Sequence, residues 1–345
     1  MAHSLPAQVS AGPRGRGALA LAAVAVAALL AGSGATRAFD LQGHRGARGL
    51  APENTVPAFA AALSLGVTTL ELDTAITRDG AIVVSLVPSL YPAITRGPDG
   101  AFLMAKGPAI HALDIAELQR HDVGRINPES SYARQQPEQK AVDGTRIPRL
   151  GDVFALARRA GNQDVRFNIE TKVSPLAPDE TLPPAEFADR LLAAIYANGM
   201  NERVSIQSFD WRTLLRTQQA APDIPTVYLS AQQPWLDTIG AGRPEGSAWT
   251  AGFQVRDHGG SVARMVKAAG GRVWSPYYGD VDQAKIAEAH ALGLAVVVWT
   301  VNAPADIERM LDLNVDGIIS DRPDRVRAAM AARHMPLPKA TPVIP

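Results

Sequence analysis

Short runs of β-forming residues alternate with amphipathic helical segments along most of this chain, and this alternation restricts the fold more than any other feature. The predicted strands lie at Phe39–His44, Thr68–Asp73, Val165–Thr171, Val204–Ser208, Thr226–Ser230, Arg272–Ser275, Ala295–Val301 and Gly317–Ser320. Helical patterns lie between most of them, for example at Asn54–Leu65, Pro184–Asn198, Asp282–Leu292 and Ala303–Leu313. Strands that alternate with helices form parallel βαβ units. The sequence therefore predicts the α/β class, and eight strands favour a closed (β/α)8 TIM barrel over an open doubly wound sheet.

One segment departs from this alternation. The Asp79-Gly80 pair predicts a tight hairpin after the second strand. With these two residues as the loop, the count along both arms pairs Asp73 with Leu86. Residues 88–148 then form an insertion rich in proline, glycine and charge, with one helix near Asp114–Gln119. Long stretches of this kind inside a compact domain are usually functional loops or lids.

The two ends of the chain carry other patterns. Residues 1–38 show the order of a secretory signal peptide, with Arg14 and Arg16 before an apolar run and small residues up to Ala38. This order predicts export to the periplasm or the medium. The apolar run is too short and alanine-rich to favour a stable membrane span of about 20 residues, and an uncleaved anchor is the alternative. The barrel is assigned to residues 39–330, and residues 331–345 are predicted to form a flexible tail.

Composition excludes several classes of function. Lys and Arg number 34, as do Asp and Glu, so no overall charge favours nucleic acid or an anionic membrane as a partner. The chain has no cysteine, which excludes disulfides, thiolate metal sites and a cysteine nucleophile. The sequence leaves the oligomeric state undetermined.

Polar residues stand where three of the predicted strands end, and the catalytic end of a TIM barrel is the carboxyl end of its strands. These residues are His44, Arg45, Glu71, Asp73, Glu170 and Lys172. Strand alternation places Glu71 and Asp73 on one face, and likewise Glu170 and Lys172. Three converging carboxylates repel one another unless a cation compensates, and oxygen ligands suit one Ca2+ or Mg2+ ion.

The neighbouring groups suggest what this site could bind. Arg45 and Lys172 supply positive charge suited to a phosphate, and His44 can act as an acid or base near neutral pH. Trp299 ends an apolar strand, where packing in the core competes with lining a substrate pocket. Each carboxylate pair could also be a solvated strand edge, but their combination on separate strand ends favours the metal site.

Several motifs together carry a resemblance to a known family. The segments HRGARGLAPENT, ELDTAITRDGAIVV, NIETK, QSFD, VWTVN and DGIISDRPD extend from about Leu41 to Asp324. In this order and spacing they resemble the glycerophosphodiester phosphodiesterases. The resemblance implies a phospholipase C-like barrel, a Ca2+ or Mg2+ site, and hydrolysis of glycerophosphodiesters to glycerol 3-phosphate and an alcohol.

The same resemblance implies roles for individual residues. Glu71, Asp73 and Glu170 would bind the metal, and His44 would be one catalytic histidine. Arg45 and Lys172 would contact the phosphate. The chain would thus be a phosphoric diester hydrolase of glycerol and lipid metabolism, with a small glycerophosphodiester as its partner.

The chain departs from the family at one motif. Where the family has Val-Val-x-His-Asp, with a second catalytic histidine, this sequence has Leu86-Val87 at the last two positions. Leucine cannot transfer a proton, and loss of a general acid or base typically costs about 10²–10⁴-fold in rate. His121 forms another His-Asp dipeptide, but it lies in the insertion, where the family shows no catalytic residue.

Two main functions remain open after this departure. One is an exported, metal-dependent phosphodiesterase whose turnover is impaired. The other is a non-catalytic protein that binds glycerophosphodiesters through the retained metal and phosphate groups. A barrel lyase that uses a single histidine has weaker support, because VWTVN and SDRPD fit the phosphodiesterase pattern.

Overall fold

The fold is a closed barrel of eight parallel strands, seen in a computed structural model that describes residues 38–345. The barrel strands are β1 (Asp40–Gly43), β2 (Thr69–Ile76), β4 (Arg166–Thr171), β5 (Val204–Ser208), β6 (Thr226–Ser230), β9 (Val273–Pro276), β10 (Ala295–Val298) and β11 (Gly317–Ser320). Three short strands lie outside the ring: β3 (Ile82–Val84), β7 (Gln232–Gln233) and β8 (Leu236–Asp237). The first barrel strand pairs with both the second and the last, which closes the ring. The predicted (β/α)8 TIM barrel is confirmed.

Helices connect the strands and cover the outside of the ring. They are α1 (Val56–Leu65), α2 (Ile115–Leu118), α3 (Leu150–Arg159), α4 (Pro184–Ala197), α5 (Trp211–Ala220), α6 (Val262–Ala268), α7 (Gln283–Ala291), α8 (Pro304–Asp312) and α9 (Pro323–Ala332). The first helix is capped by Thr55, whose hydroxyl accepts a hydrogen bond from the Ala58 amide at 3.4 Å. Within residues 38–345, none of the helices has the length and apolar character to cross a membrane.

The main core lies between the strands and this outer layer of helices. Phe154 of α3 and Phe167 of β4 are fully buried and pack edge to face, with ring centroids 4.9 Å apart. Burial of one such side chain contributes about 1.5–3 kcal/mol. The helices alternate with strands because each apolar helix face needs a strand surface to cover it.

The interior of the barrel is divided into an apolar half and a polar half. Inward-facing residues of β6, β9, β10 and β11 form one apolar cluster, made of Val227, Val273, Ala295, Val297 and Ile319. In the other half, the Asn168 amide donates to Gln42 Oε1 at 3.1 Å and to Gln207 Oε1 at 2.7 Å. These buried amides are hydrogen-bonded to one another, as polar groups inside a protein must be. The polar half lies directly below the charged residues of the mouth, because alternation places Glu71 and Asp73 above it.

The hairpin between β2 and β3 is present, but the predicted pairing within it is wrong by one residue. The strands pair Ile76 with Ile82, and the Thr77 amide donates to the Ala81 carbonyl at 3.0 Å. The loop therefore has three residues rather than two, and Gly80 adopts a φ of 83° within it. As a result, Asp73 lies beside Ser85, whose amide donates to the Asp73 carbonyl at 3.0 Å.

The insertion contains little regular structure. The helix predicted near Asp114–Gln119 is present as α2, and short helical turns lie at Ile110–Ala112 and Ala133–Gln135. The signal-peptide segment falls almost entirely on residues 1–37, outside the described part of the chain. The boundaries of the barrel and insertion remain predictions.

The tail after α9 forms no helix or strand, yet part of it contacts the barrel. The Thr341 amide donates to the Leu63 carbonyl at 2.8 Å, and its hydroxyl accepts a hydrogen bond from Asn162 at 3.0 Å. Arg327 also donates to the Pro338 carbonyl at 2.7 Å. Flexibility of residues 331–345 remains a prediction, and these contacts argue against it for the stretch near Thr341.

Candidate active site and metal centre

Three buried carboxylates meet at the carboxyl end of the barrel. Glu71 and Asp73 come from β2 and Glu170 from the neighbouring β4, and each offers an oxygen within 4.8 Å of the others. All three side chains are less than a tenth exposed. The strands position them, because Asp73 and Glu170 are partners in the parallel register.

The electrostatics of this acidic trio (Glu71, Asp73 and Glu170) favour a bound cation. Burial, with repulsion from Asp73 and Glu170, raises the pKa of Glu71 well above its usual value. Burial also raises the pKa of Glu170 to about 7, although Lys172 opposes the shift. Asp73 Oδ1 is buried and accepts no hydrogen bond from the described residues. A hard divalent cation fits this donor set, because it would ligate Asp73 Oδ1 and relieve the repulsion.

Two cations border the trio. Arg45 Nε lies 2.9 Å from Asp73 Oδ2, and Lys172 Nζ lies 2.9 Å from Glu170 Oε1 and 3.4 Å from Asp73 Oδ1. Burial opposes the charge of Lys172. The carboxylates of Asp73 and, to a lesser extent, Glu170 nevertheless raise the pKa of Lys172. Burial also opposes the ionisation of Asp73, yet Lys172 and Arg45 hold the pKa of Asp73 below its usual range. Both cations are therefore charged beside the trio, where an anionic phosphate would lie.

His44 forms a buried pair with an aspartate from the opposite end of the sequence. Its Nδ1 lies 2.5 Å from Asp321 Oδ1, and its Nε2 lies 3.9 Å from Glu71 Oε2. Burial and the Arg45 guanidinium lower the pKa of His44, although Asp321 opposes them. Burial also opposes the charge of Asp321, but His44 and Arg48 hold the pKa of Asp321 below its usual range. A neutral imidazole that donates from Nδ1 to an ionised carboxylate keeps Nε2 free to accept a proton.

The backbone of the loop after β1 takes part in the same site. Arg45 has a φ of 49°, and its amide donates to Glu71 Oε2 at 2.8 Å. Asn54, with a φ of 55°, donates from its side chain to Asp73 Oδ2 at 2.8 Å. Left-handed backbone at residues other than glycine carries strain, and it is retained here where two amide groups orient the carboxylates.

Leu86 lies near this site, beyond the end of β3. It lines a small cavity together with Glu53 and Asn54. The chain bends at residues 86–88, so the alternation of β3 does not continue to Leu86. Its apolar side chain supplies neither a donor nor an acceptor.

His121 stands elsewhere and has other neighbours. It follows α2, and its amide donates to the Leu118 carbonyl at 3.1 Å. Among the described residues, the groups able to share a metal include the acidic trio and not His121. The adjacent Asp122 pairs with Arg96 rather than with any group of the trio.

Trp299 belongs to an aromatic wall formed by side chains that directly follow β5, β9 and β10 and by the β7–β8 hairpin. It is partly buried beside the apolar cluster of the barrel interior and packs against Phe209, Trp235 and Tyr277. Trp235, at the tip of the β7–β8 hairpin, is 60% exposed. Phe209 comes directly after β5, and Gln207 within that strand donates to Glu71 Oε1 at 2.6 Å. Trp299 thus packs against the apolar cluster and these aromatic side chains, and its role in a substrate pocket remains a prediction.

The structure brings six of the seven predicted site residues into one network, whereas Trp299 lies in the aromatic wall. Sequence reasoning missed further residues of that network, among them Glu53, Asn54, Gln136, Gln207, Asn302 and Asp321. Gln207 could have been found, because it stands near the end of a predicted strand. Asp321 directly follows the last predicted strand, Gly317–Ser320, which was also a usable signal. The catalytic, metal and phosphate roles of the predicted residues remain predictions.

Comparison with known proteins gives one consistent result. Residues 44–325 match the sequence model of the glycerophosphoryl diester phosphodiesterase family. A crystal structure from Silicibacter pomeroyi, assigned to glycerophosphoryl diester phosphodiesterases, is 35% identical, with a TM-score of 0.77 over 87% of this chain and 95% of the other. The glycerophosphodiester phosphodiesterase of Caldanaerobacter subterraneus is 27% identical over 81% of this chain and 93% of its own length. That of Bacillus subtilis is 27% identical over 81% and 83%, respectively.

Proposed function

The chain belongs to the glycerophosphoryl diester phosphodiesterase family, and we propose that it hydrolyses glycerophosphodiesters to glycerol 3-phosphate and an alcohol. The observation that carries this proposal is the buried acidic trio flanked by Arg45, Lys172 and the His44–Asp321 pair. A phosphodiester needs anion-binding groups, a polarising charge and a base, and the site offers all three.

In this proposal Glu71, Asp73 and Glu170 hold one divalent cation, Ca2+ or Mg2+. When bound, the cation would supply Lewis-acid polarisation of a phosphoryl oxygen. Arg45 and Lys172 bind the non-bridging oxygens of the phosphate, and the aromatic wall that includes Trp299 contacts the organic part of the substrate. These groups orient the phosphorus atom toward His44.

His44 acts as the base of this reaction. Its Nε2 takes a proton from the attacking water while its Nδ1 keeps the hydrogen bond to Asp321. The new phosphorus–oxygen bond forms as the bond to the alcohol oxygen breaks. Because Leu86 cannot donate a proton, the leaving alcohol oxygen must take its proton from solvent. We therefore expect turnover below that of an otherwise identical site with a histidine at this position.

The acidic trio and its neighbouring cations also favour a second candidate function, which is ligand binding without hydrolysis. A chain that retains the trio and both cations, yet has Leu86-Val87, could bind glycerophosphodiesters without hydrolysing them. The two functions differ in turnover and share ligand binding, so a single set of variants separates them.

The experiment is a coupled assay of glycerol 3-phosphate release from glycerophosphocholine, with Ca2+ or Mg2+ and with a chelator. We expect slow, metal-dependent release by the natural chain, abolished in His44→Ala. The double variant Leu86→His/Val87→Asp should raise the rate by about 10²–10⁴-fold. Leu86→Gln/Val87→Asp is the matched control, because it adds polarity without a comparable proton donor.

The outcomes distinguish the candidates. No release by the natural chain, with release in the His/Asp variant, would favour the binding protein. Absence of release in both, together with no metal-dependent binding of glycerol 3-phosphate, would contradict both functions. An equal gain in the Gln/Asp control would show that polarity, and not proton transfer, limits the rate.

We also propose that the chain is exported. The support is the order of charged, apolar and small residues over positions 1–38. Amino-terminal sequencing of the protein purified from its native cells should give a mature start at Phe39. A protein that retains Met1 in full yield would contradict cleavage.

A further inference from the structure

Part of the insertion crosses the active-site loop, and we name residues 127–140 the strap. Near its end, the Lys140 amide donates to the Leu50 carbonyl at 3.0 Å, and Gln139 donates from its side chain to the Arg48 carbonyl at 2.7 Å. Glu138 pairs with Arg322 at 2.6 Å, just beyond the last barrel strand. The strap is therefore fixed to both segments that carry the His44–Asp321 pair.

Two strap side chains are buried and reach carboxylates of the site. The Tyr132 hydroxyl donates to Glu53, the partner of Arg45, and its ring lies 5.0 Å from the Arg48 guanidinium. Gln136 is 8% exposed, and its Nε2 donates to Asp321 Oδ2 at 3.0 Å. Neither residue touches the acidic trio directly.

The contact of Gln136 bears on the orientation of His44. Asp321 uses Oδ1 for the imidazole, while Oδ2 accepts from Gln136 at 3.0 Å and from Asn302 at 2.9 Å. Two donors on one oxygen fix the plane of the carboxylate, so the other oxygen stays directed at His44 Nδ1. The partner of one ring nitrogen selects the tautomer of a histidine and thereby sets the state of the other nitrogen.

We propose that Gln136 is a positioning residue that fixes the orientation and tautomer of His44 through Asp321. The insertion is then part of the active site rather than an appendage of the barrel. The inference rests on the proposed function for the role of His44 in the reaction, but the predicted tautomer does not depend on turnover.

The test uses the full chain with ¹⁵N-labelled histidine and reads the tautomer of His44 from its ring nitrogen shifts at about pH 8, where a neutral imidazole is expected. The His44 signal is assigned by its loss in His44→Ala. In the natural chain we expect the tautomer protonated at Nδ1. In Gln136→Met, which is close in size but donates no hydrogen bond, the signal should move toward a mixture of tautomers.

Gln139→Met is the matched control, because it removes a different hydrogen bond of the same strap. It should leave the His44 signal unchanged, and thermal unfolding of each variant confirms that it folds. An unchanged tautomer in Gln136→Met overturns the inference. The same change in both variants also overturns it, since the effect would then belong to loosening of the strap.

If the natural chain turns over, kinetics supply a second readout. Loss of a partner behind a functional side chain typically costs about 10–100-fold. We expect kcat to fall by about this factor in Gln136→Met with little change in KM, and neither to change in Gln139→Met. An inactive natural chain would contradict the proposed hydrolysis, whereas the tautomer would still decide the role of Gln136.

Discussion

At the scale of single residues, the acidic trio carries more negative charge than the two neighbouring cations, Arg45 and Lys172, neutralise. Glu71 and Glu170 both have raised pKa values, in each case because of burial and of neighbouring carboxylates. Arg45 and Lys172 compensate Asp73 first, as the lowered pKa of Asp73 shows. A cation would complete the compensation, and protons take its place where none is bound.

The raised pKa of Glu170 leads to a prediction for metal binding. In the metal-free chain this pKa is about 7, above the ordinary 4.5, so Glu170 is mostly protonated below neutral pH. A cation must displace that proton, and protonation of Glu170 alone should lower the apparent affinity of the site by about tenfold for each pH unit below 7. Calorimetric titration with Ca2+ in buffers of different ionisation enthalpy would measure both the affinity and the released proton.

The same shift determines the sign of the effect on metal-free stability. A carboxyl with a raised folded pKa stabilises the fold at pH values below its unfolded pKa, and this contribution is lost as pH rises through the folded pKa. Stability from Glu170 should therefore decline between about pH 4.5 and pH 7. Glu170→Gln is the control, and a decline of equal size in this variant would contradict the assignment.

At the scale of elements, the connection from β1 to α1 brings the most functional groups together in the fewest residues. Gly46 follows Arg45 with a φ of 88°, and a Cβ built on it would lie 2.6 Å from the backbone of Ala58 in α1. Glycine therefore lets the helix approach the loop that holds His44 and Arg45. This close approach fixes the loop against the barrel.

We predict that Gly46→Ala destabilises the chain and weakens the site. The left-handed backbone costs about 1–2 kcal/mol for alanine, and the overlap with α1 adds about 1–3 kcal/mol. Gly100→Ala is the matched control, because Gly100 has a φ of 81° but open space around its Cβ position. Urea unfolding of both variants should show the larger loss in Gly46→Ala, and equal losses would contradict the steric part.

Comparison of predicted and observed strands shows where the local sequence is sufficient to predict the bounds of a strand. Val204–Ser208, Thr226–Ser230 and Gly317–Ser320 were predicted with their observed bounds, because each is a short run that contains β-branched residues and is followed by a turn or helical pattern. The hairpin after β2 was misaligned because the number of loop residues depends on the conformation of Gly80. One residue of error changed the predicted partner of Asp73.

At the scale of the whole molecule, the site depends on contacts between distant parts of the sequence. His44 and Asp321 are separated by 277 positions, and Gln136 and Asp321 by 185. The first pair meets because β1 and β11 are neighbours where the ring closes. Sequence patterns predicted the strands and the acidic trio at the ends of β2 and β4. They did not predict Asp321 and Gln136 as partners, because only ring closure and the path of the insertion bring these residues together.

Metal binding should also stabilise the whole chain. A cation that binds only the folded state raises the free energy of unfolding by about 2.7 kcal/mol at a hundredfold excess over its Kd. Thermal unfolding with and without Ca2+ or Mg2+ should show an increase in Tm. Asp73→Asn should abolish the increase, whereas Asp257→Asn, an exposed carboxylate far along the chain, should preserve it.

The strand β3 pairs with β2 and stands outside the closed ring, and its Val83 also bridges to Arg149 just before α3. Leu86 and Val87 follow this outer strand, so the eight barrel strands close without them. Selection for a stable fold and selection for catalysis can therefore act on separate positions of this chain. In the proposed function, a change at these two positions would therefore alter hydrolysis and leave the barrel and the acidic trio in place.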